Sequence, residues 1–143
     1  AEITGEPAAA IELSDGTIVT GKTSTLLGAC SAMLLNALKV MGGIDDSVNL
    51  ISREIIEPIQ HLKTEHFGNR NPRLHTDEIL IALTICATTD NNAEIAMQQL
   101  EKLKGCEVHS SVILSEVDDR TFKKLGVNVT CEPQYQTSKL FHN

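Results

Sequence analysis

Aromatic residues are scarce in this chain of 143 residues, with no tryptophan, one tyrosine and three phenylalanines. Single-stranded nucleic acid is bound by stacking bases on aromatic rings, so that class of partner loses its platform. Basic charge is also in deficit, with 12 Lys and Arg against 19 Asp and Glu and a formal net charge of −7. Duplex nucleic acid and anionic membranes attract the opposite balance, and neither is expected as a partner. No apolar run reaches the length of a bilayer span, and residues 1–20 lack the basic-then-apolar layout of a secretory signal. The expected location is therefore cytoplasmic. C-x-x-C pairs are missing too. Cys30, Cys86, Cys106 and Cys131 each stand alone in an apolar pattern and read as small buried thiols. No metal and no cofactor are expected.

What is present is a 41% hydrophobic fraction carried by Ala, Ile, Leu and Val. That is enough for one aliphatic core, so residues 1–143 read as one domain. The chain opens at "AEITGEP" without Met, and it reads as a fragment of a longer protein.

"AAIEL" (9–13) and "TIVTG" (17–21) are β-prone runs around Ser14, Asp15 and Gly16, a hairpin signal. Residues 25–41 are apolar on nearly every side, which predicts a buried helix with Ser24 as N-cap and Gly42-Gly43 as its stop. "SVNLIS" (47–52) reads as a third strand. A helical insertion over 53–104 follows, opened by Pro58, with later helices starting near Thr76 and Asn91 and closing at Gly105. "CEVHSSVIL" (106–114) reads as a strand, Ser115 and Asp118 as a capping box, Gly126 as a helix stop and "VNVTCEP" as the last strand, before a polar tail from Gln134. The expected fold class is α/β, three-layered, with a mixed sheet of about five strands and helices on both faces.

Gly16 and Gly21-Lys22-Thr23 satisfy the G-x-x-x-x-G-K-[ST] pattern of a phosphate-cradling loop. Such a loop needs small residues whose amides wrap the phosphate, yet the four between the glycines are Thr17, Ile18, Val19 and Thr20. These are β-branched, so extended backbone is favoured and the motif reads as a hairpin strand. What survives is a weaker idea, that Lys22 and Thr23 near a helix N-terminus hold some anion. "HFGNRNPRLHTDE" adds a second cationic cluster, with His66, Arg70, Arg73 and His75 ahead of another helix start. Two guanidinium groups beside helix-end amides suit a carboxylate or phosphate, and the competing reading is a polar connection whose arginines cap helices or pair with Glu. In "CEVHSS", alternation sends His109 and Ser111 to one face of a strand and Ser110 to the other; neighbours on one strand rarely reach the geometry of a Ser-His catalytic pair, and no orienting acid is identifiable in the sequence, so structural roles are expected.

"AAIELSDGTIVTG" followed by "LLGACSAMLLNALK" resembles the opening of the cytidine-deaminase-like fold, in which a hairpin leads into a helix carrying the first zinc ligand and the catalytic Glu. The chemistry does not carry over. Cys30 is followed by Ser31 and Ala32 instead of reaching a Glu, no P-C-x-x-C comes later, and His61, His66, His75, His109 and His142 form no H-x-E or H-E-x-x-H. Taken whole, the chain resembles the C-terminal segment of the bacterial uncharacterised protein family 0371, a domain of unknown function. The likeness runs through "SDGTIVTGKTS", "IIEPIQHLK", "GNRNPRLHTDEILIAL", "GCEVHSSVILS" and "LGVNVTCEP". It implies a longer parent chain as the first partner and carries over no catalytic residue. The leading expectation is a deaminase-like domain without deaminase chemistry that serves as an assembly or ligand-site module, with "ILIALTIC" in an interface helix and a homo-oligomer as one outcome. The alternative is an enzyme domain that binds a nucleotide or another phosphate compound, a small anionic ligand, through Lys22 and Thr23 at a helix N-terminus and Arg70, Arg73 and His75 in the loop from Arg70 to His75.

Overall fold

A computed structural model of the chain describes residues 8–131. The element order is β1 (Ala8–Glu12), β2 (Ile18–Lys22), α1 (Ala29–Gly42), α2 (Arg53–His61), α3 (Thr76–Cys86), α4 (Asn91–Gln98), β3 (Glu107–Ser110), α5 (Glu116–Leu125) and β4 (Asn128–Cys131). A π-helical turn, Leu62–His66, extends α2, and a 3-10 turn, Leu100–Leu103, follows α4. The polar tail from Gln134 and the end of the expected last strand at Glu132 and Pro133 lie outside the described residues.

β1 and β2 form the expected hairpin. Gly16 sits at φ +90°, its amide donates to Leu13 O at 2.9 Å, and the Thr17 amide donates to Asp15 Oδ1 at 2.9 Å. A glycine takes that left-handed conformation without the steric cost of a side chain. Gly21, the second glycine of the phosphate-loop pattern, has a different reason. It lies inside β2 where α1 crosses the strand, and a Cβ there would stand 2.2 Å from Met33 N and 2.7 Å from Ala29 O. The two glycines thus serve a turn and a helix-strand contact, with Ile18, Val19 and Thr20 extended between them.

The sheet is mixed, with strand order β2-β1-β3-β4. β1 runs antiparallel to both β2 and β3, while β3 and β4 are parallel, joined through α5. One face is buried, carrying Ala9, Ile11, Val19, Gly21, Val108 and Ser110. Ala9, Ile11, Val19 and Val108 join Met33, Leu34 and Leu38 of α1, Ile79 and Leu83 of α3 and Phe122 of α5 in a single core. The opposite face carries Ala10, Glu12, Ile18, Thr20, Glu107, His109, Asn128 and Thr130, half-buried or exposed. The α/β class and the mixed sheet agree with the sequence. The third layer does not: among the described residues the helices cover one face only, because polar and small side chains alternate with apolar ones along every strand.

Four strands rather than five are seen among the described residues, and the difference is residues 47–52, which form no strand. Lys39 reaches from α1 to donate to Asp46 O at 2.8 Å and Val48 O at 3.0 Å, while Asp45 Oδ2 accepts from the Ser47 amide at 3.0 Å and from its hydroxyl. Those bonds curl the segment into a turn, and Leu50 and Ile51 enter the core from a loop. Pro58 lies inside α2 rather than opening it; Ser52 is the N-cap and the helix begins at Arg53. α1 starts at Ala29 with Gly28 as N-cap, later than the composition suggests. Ser24 is spent on a turn instead, its Oγ accepting from the amides of Leu26 at 3.2 Å and Leu27 at 3.1 Å. Lys22 and Thr23 therefore end a strand and begin a turn, and do not sit at the mouth of α1.

Candidate functional site

The turn before α1 and the segment before α3 are adjacent. Leu27 and Leu74 make a parallel bridge, with the Leu74 amide donating to Leu26 O at 3.0 Å and the Gly28 amide to Leu74 O at 3.3 Å. The buried Ser31 hydroxyl donates to the same Leu74 carbonyl at 2.8 Å. Arg73 Nε donates to Ser24 O at 2.5 Å, and Gln60 Nε2 donates to Thr25 O at 2.9 Å. Two regions that the sequence separates by about fifty residues, each singled out for its cations, thus share one seam.

A buried lysine organises that seam. Lys63, at the π-helical turn, is only 3% exposed and donates to Arg73 O at 2.7 Å and Glu78 Oε1 at 2.8 Å. Glu78 Oε1 also accepts from the His75 amide at 2.7 Å and lies 3.5 Å from His75 Nδ1. Burial pushes the Glu78 carboxyl up, but the Lys63 hydrogen bond, the His75 amide and the charges of Lys63 and His75 outweigh it, and Glu78 lies below the ordinary carboxylate range. One residue further on, the Thr76 amide and hydroxyl donate to Asp118 Oδ1 at 2.9 Å and 2.7 Å. Two carboxylates of the chain itself therefore occupy the N-terminus of α3, where the helix dipole favours negative charge.

Of the residues the sequence suggested for anion binding, Arg73 and His75 lie in the seam and are half-buried, and Thr23 borders it. Lys22 is exposed at the end of β2, and Arg70 is exposed in the loop before Arg73; neither pairs with another described residue. Sequence reasoning missed Lys63 and the reach of Asp118. Glu78 had a visible signal, because it stands three residues after the N-cap His75, the capping-box spacing. Asp118 had half of one: its amide does donate to Ser115 Oγ at 3.1 Å, but its carboxylate goes to Thr76. Lys63 had none, being one lysine in a helical run.

Nearby reactive groups are tied down. Burial, then the negative charges of Asp118 and Cys131, push the Cys30 thiol up to about 12, so near neutral pH it is protonated and a poor nucleophile. Ser110 points into the core, donating to Val112 O at 2.6 Å, while His109 is exposed on the other face. Among the described residues, no three His, Cys, Asp or Glu side chains stand together as a metal-holding group. No described helix is long and apolar enough to cross a membrane.

Fold and seam together define an α/β domain whose mixed sheet is covered on one side by helices among the described residues, with a buried lysine tying the segment before α3 to that helix. Residues 1–141 match the family model for "Domain of unknown function DUF1846, C-terminal", and the chain belongs to that family. It is similar to UPF0371 proteins from Corynebacterium efficiens (61% identical over 138 residues, 96% of this chain and 28% of that relative) and from Corynebacterium diphtheriae (58% over 140, 98% and 28%). A UPF0371 protein of Streptococcus pyogenes is 52% identical over 141 residues, 99% of this chain and 28% of its own length. The chain thus spans 28% of the length of these curated relatives.

Proposed function

We propose that this chain is an assembly module of a longer cytoplasmic protein, one domain with a helical insertion over 53–104 and a deaminase-like topology without deaminase chemistry. The observation that carries the reading is apolar surface left uncovered on α3. Ile81 and Ile85, one turn apart on that helix, are 63% and 61% exposed, although Ile79, Ala82 and Leu83 already bury its inner face. Paired exposed isoleucines at that spacing suit a surface that another part of the protein covers. The sheet face left open among the described residues supports the same reading, and so does a chain that spans 28% of its relatives. In the full-length protein, Ile81→Asp with Ile85→Asp is expected to expose this domain to limited proteolysis and to lower the assembled mass or split the unfolding transition. Unchanged cleavage, mass and unfolding would overturn the reading.

A second reading is favoured by the adjacency of Ser24 and Arg73. A phosphate-bearing or other small anionic ligand would be held by the side chains of Lys22, Arg70 and Arg73, with Thr23 and His75 beside them. The α3 amides take little part, since Glu78 and Asp118 already hold them. Thermal shifts of the full-length protein with inorganic phosphate, ATP and GTP test this. A shift removed by Lys22→Ala supports it, and no shift with any of the three removes it.

A further inference from the structure

Among the described residues, β2 is an edge strand of the sheet. The Leu13 amide donates to Thr17 O at 2.8 Å, so by alternation Ile11 with Val19 and Ala9 with Gly21 exchange the hydrogen bonds of the hairpin. The backbone groups of Ile18, Thr20 and Lys22 then point away from the sheet. The other side of β1 has the matching parity, because the Ser111 amide donates to Ala8 O at 3.0 Å. Asn36 Nδ2 meets this outer edge, donating to Thr20 O at 2.9 Å and leaving that carbonyl a second lone pair.

The edge is flanked by apolar groups on both sides. A groove of about 280 Å³ runs along it, lined by Ile18, Thr20, Asn36, Val40, Ile44 and Asp46. Val40, on the α1 side, is 50% exposed, and Ile18, on the open face, is 58% exposed. β2 has no proline in it. Edges meant to stay single are blunted by proline, charge or bulges, and here the one charge is Lys22 at the end.

Resting on the assembly reading above, we propose that this edge pairs with the same edge of a second copy, antiparallel about a two-fold axis at Thr20. The joined sheet would run from four strands to eight. In that register Thr20 faces Thr20 and Ile18 faces Lys22, and all of these residues have outward-pointing backbone groups, so every facing pair exchanges two hydrogen bonds. Charge selects the direction. The Lys22 end of β2 is basic, whereas the Ile18 end is bordered by Glu12, its cross-strand partner, by Asp15 in the hairpin turn and by Asp46 in the groove. Antiparallel pairing sets each lysine against the acidic end of the other copy; parallel pairing sets lysine beside lysine. A two-fold axis normal to the sheet keeps both α1 helices on one side, so Val40 and Ile44 of the two copies meet.

The test uses the full-length protein. Thr20→Cys is expected to give a covalent dimer under mild oxidation that the wild type does not give, since residues facing each other across such a ladder have the Cα separation a disulfide needs. Val40→Glu is expected to halve the mass measured by light scattering with an unchanged circular dichroism spectrum. A Thr20→Cys protein that stays uncrosslinked, or a folded Val40→Glu protein that keeps the wild-type mass, overturns the proposal. If Val40→Glu keeps that mass while Ile81→Asp with Ile85→Asp loses it, the edge pairing falls and the assembly reading stands.

Discussion

α1 is held on two sides by contacts of opposite chemistry. Against β2 it is held by the absence of a side chain: Gly21 lets the backbone of Met33 come close enough that a Cβ would stand 2.2 Å from its nitrogen. Against the segment before α3 it is held by polar groups, with Leu74 O taking the Ser31 hydroxyl and Lys63 tying Arg73 to Glu78. The first seam depends on shape and is indifferent to pH. The second depends on ionised groups whose partners lie far apart in sequence, and it answers to acid. Substitutions that damage one seam alone separate the two.

The largest effect is expected at Gly21. The atoms a Cβ would meet belong to the backbone of α1 and cannot swing aside, so Gly21→Ala should cost about 3 kcal/mol or more and Gly21→Val should prevent folding. Gly16→Ala is the control. A Cβ added at Gly16 would have nothing within 4 Å and would suffer only from the φ of +90°, a cost of about 1–2 kcal/mol. Urea unfolding of both variants ranks them. Equal costs would mean that α1 does not approach β2 closely enough for Gly21 to matter.

Next comes Lys63. Lys63→Ala leaves Arg73 O and Glu78 without their buried donor and should cost about 3 kcal/mol, whereas Lys63→Met keeps the packing of the stem and should cost less. Acid sharpens the contrast. Because Glu78 is depressed in the folded protein, its contribution is complete above the ordinary value of 4.5 and is lost as pH falls through the folded value. Unfolding free energy followed from about pH 6 to about pH 3 should fall more steeply in the wild type than in Lys63→Met, and Gly21→Ala should parallel the wild type. Identical acid slopes for wild type and Lys63→Met would remove Lys63 as the cause of the Glu78 shift.

The two seams also differ in how much of them the sequence discloses. The hairpin was legible because Asp15 and Gly16 act locally, and so was α5, where Ser115 accepts from the Asp118 amide three residues on and Gly126 adopts φ +80°. The α1–β2 contact was half legible: the β-branched residues between the glycines ruled for a strand, but nothing local says that Gly21 faces a helix backbone. The strand read at 47–52 failed because Lys39 bonds two carbonyls there, an interaction a local pattern does not contain. The Lys63–Glu78 and Thr76–Asp118 contacts join residues 15 and 42 positions apart. The sheet face that the described helices leave open has its signal in the sequence, in the polar residues at Glu12, Thr20, Glu107 and His109; strand-helix order suggested helices on both faces, and alternation along each strand argues for one.

The smallest effect is expected at Thr76, and it measures how the polar seam divides its work. Thr76 is fully buried and gives Asp118 two hydrogen bonds, one from the amide and one from the hydroxyl. Thr76→Val keeps the shape and the amide bond and removes only the hydroxyl bond to a carboxylate, so it should cost about 1.5 kcal/mol by urea unfolding. Asp118→Ala removes the acceptor of both, leaves the Thr76 hydroxyl buried without a partner, and should cost more than Thr76→Val. Were the two variants equally stable, the hydroxyl would carry the whole contact and the helix amide none. An Asp118→Ala cost well above that of Thr76→Val would make the charge at the α3 N-terminus the larger share, and would explain why that helix end is closed with carboxylates of the chain itself.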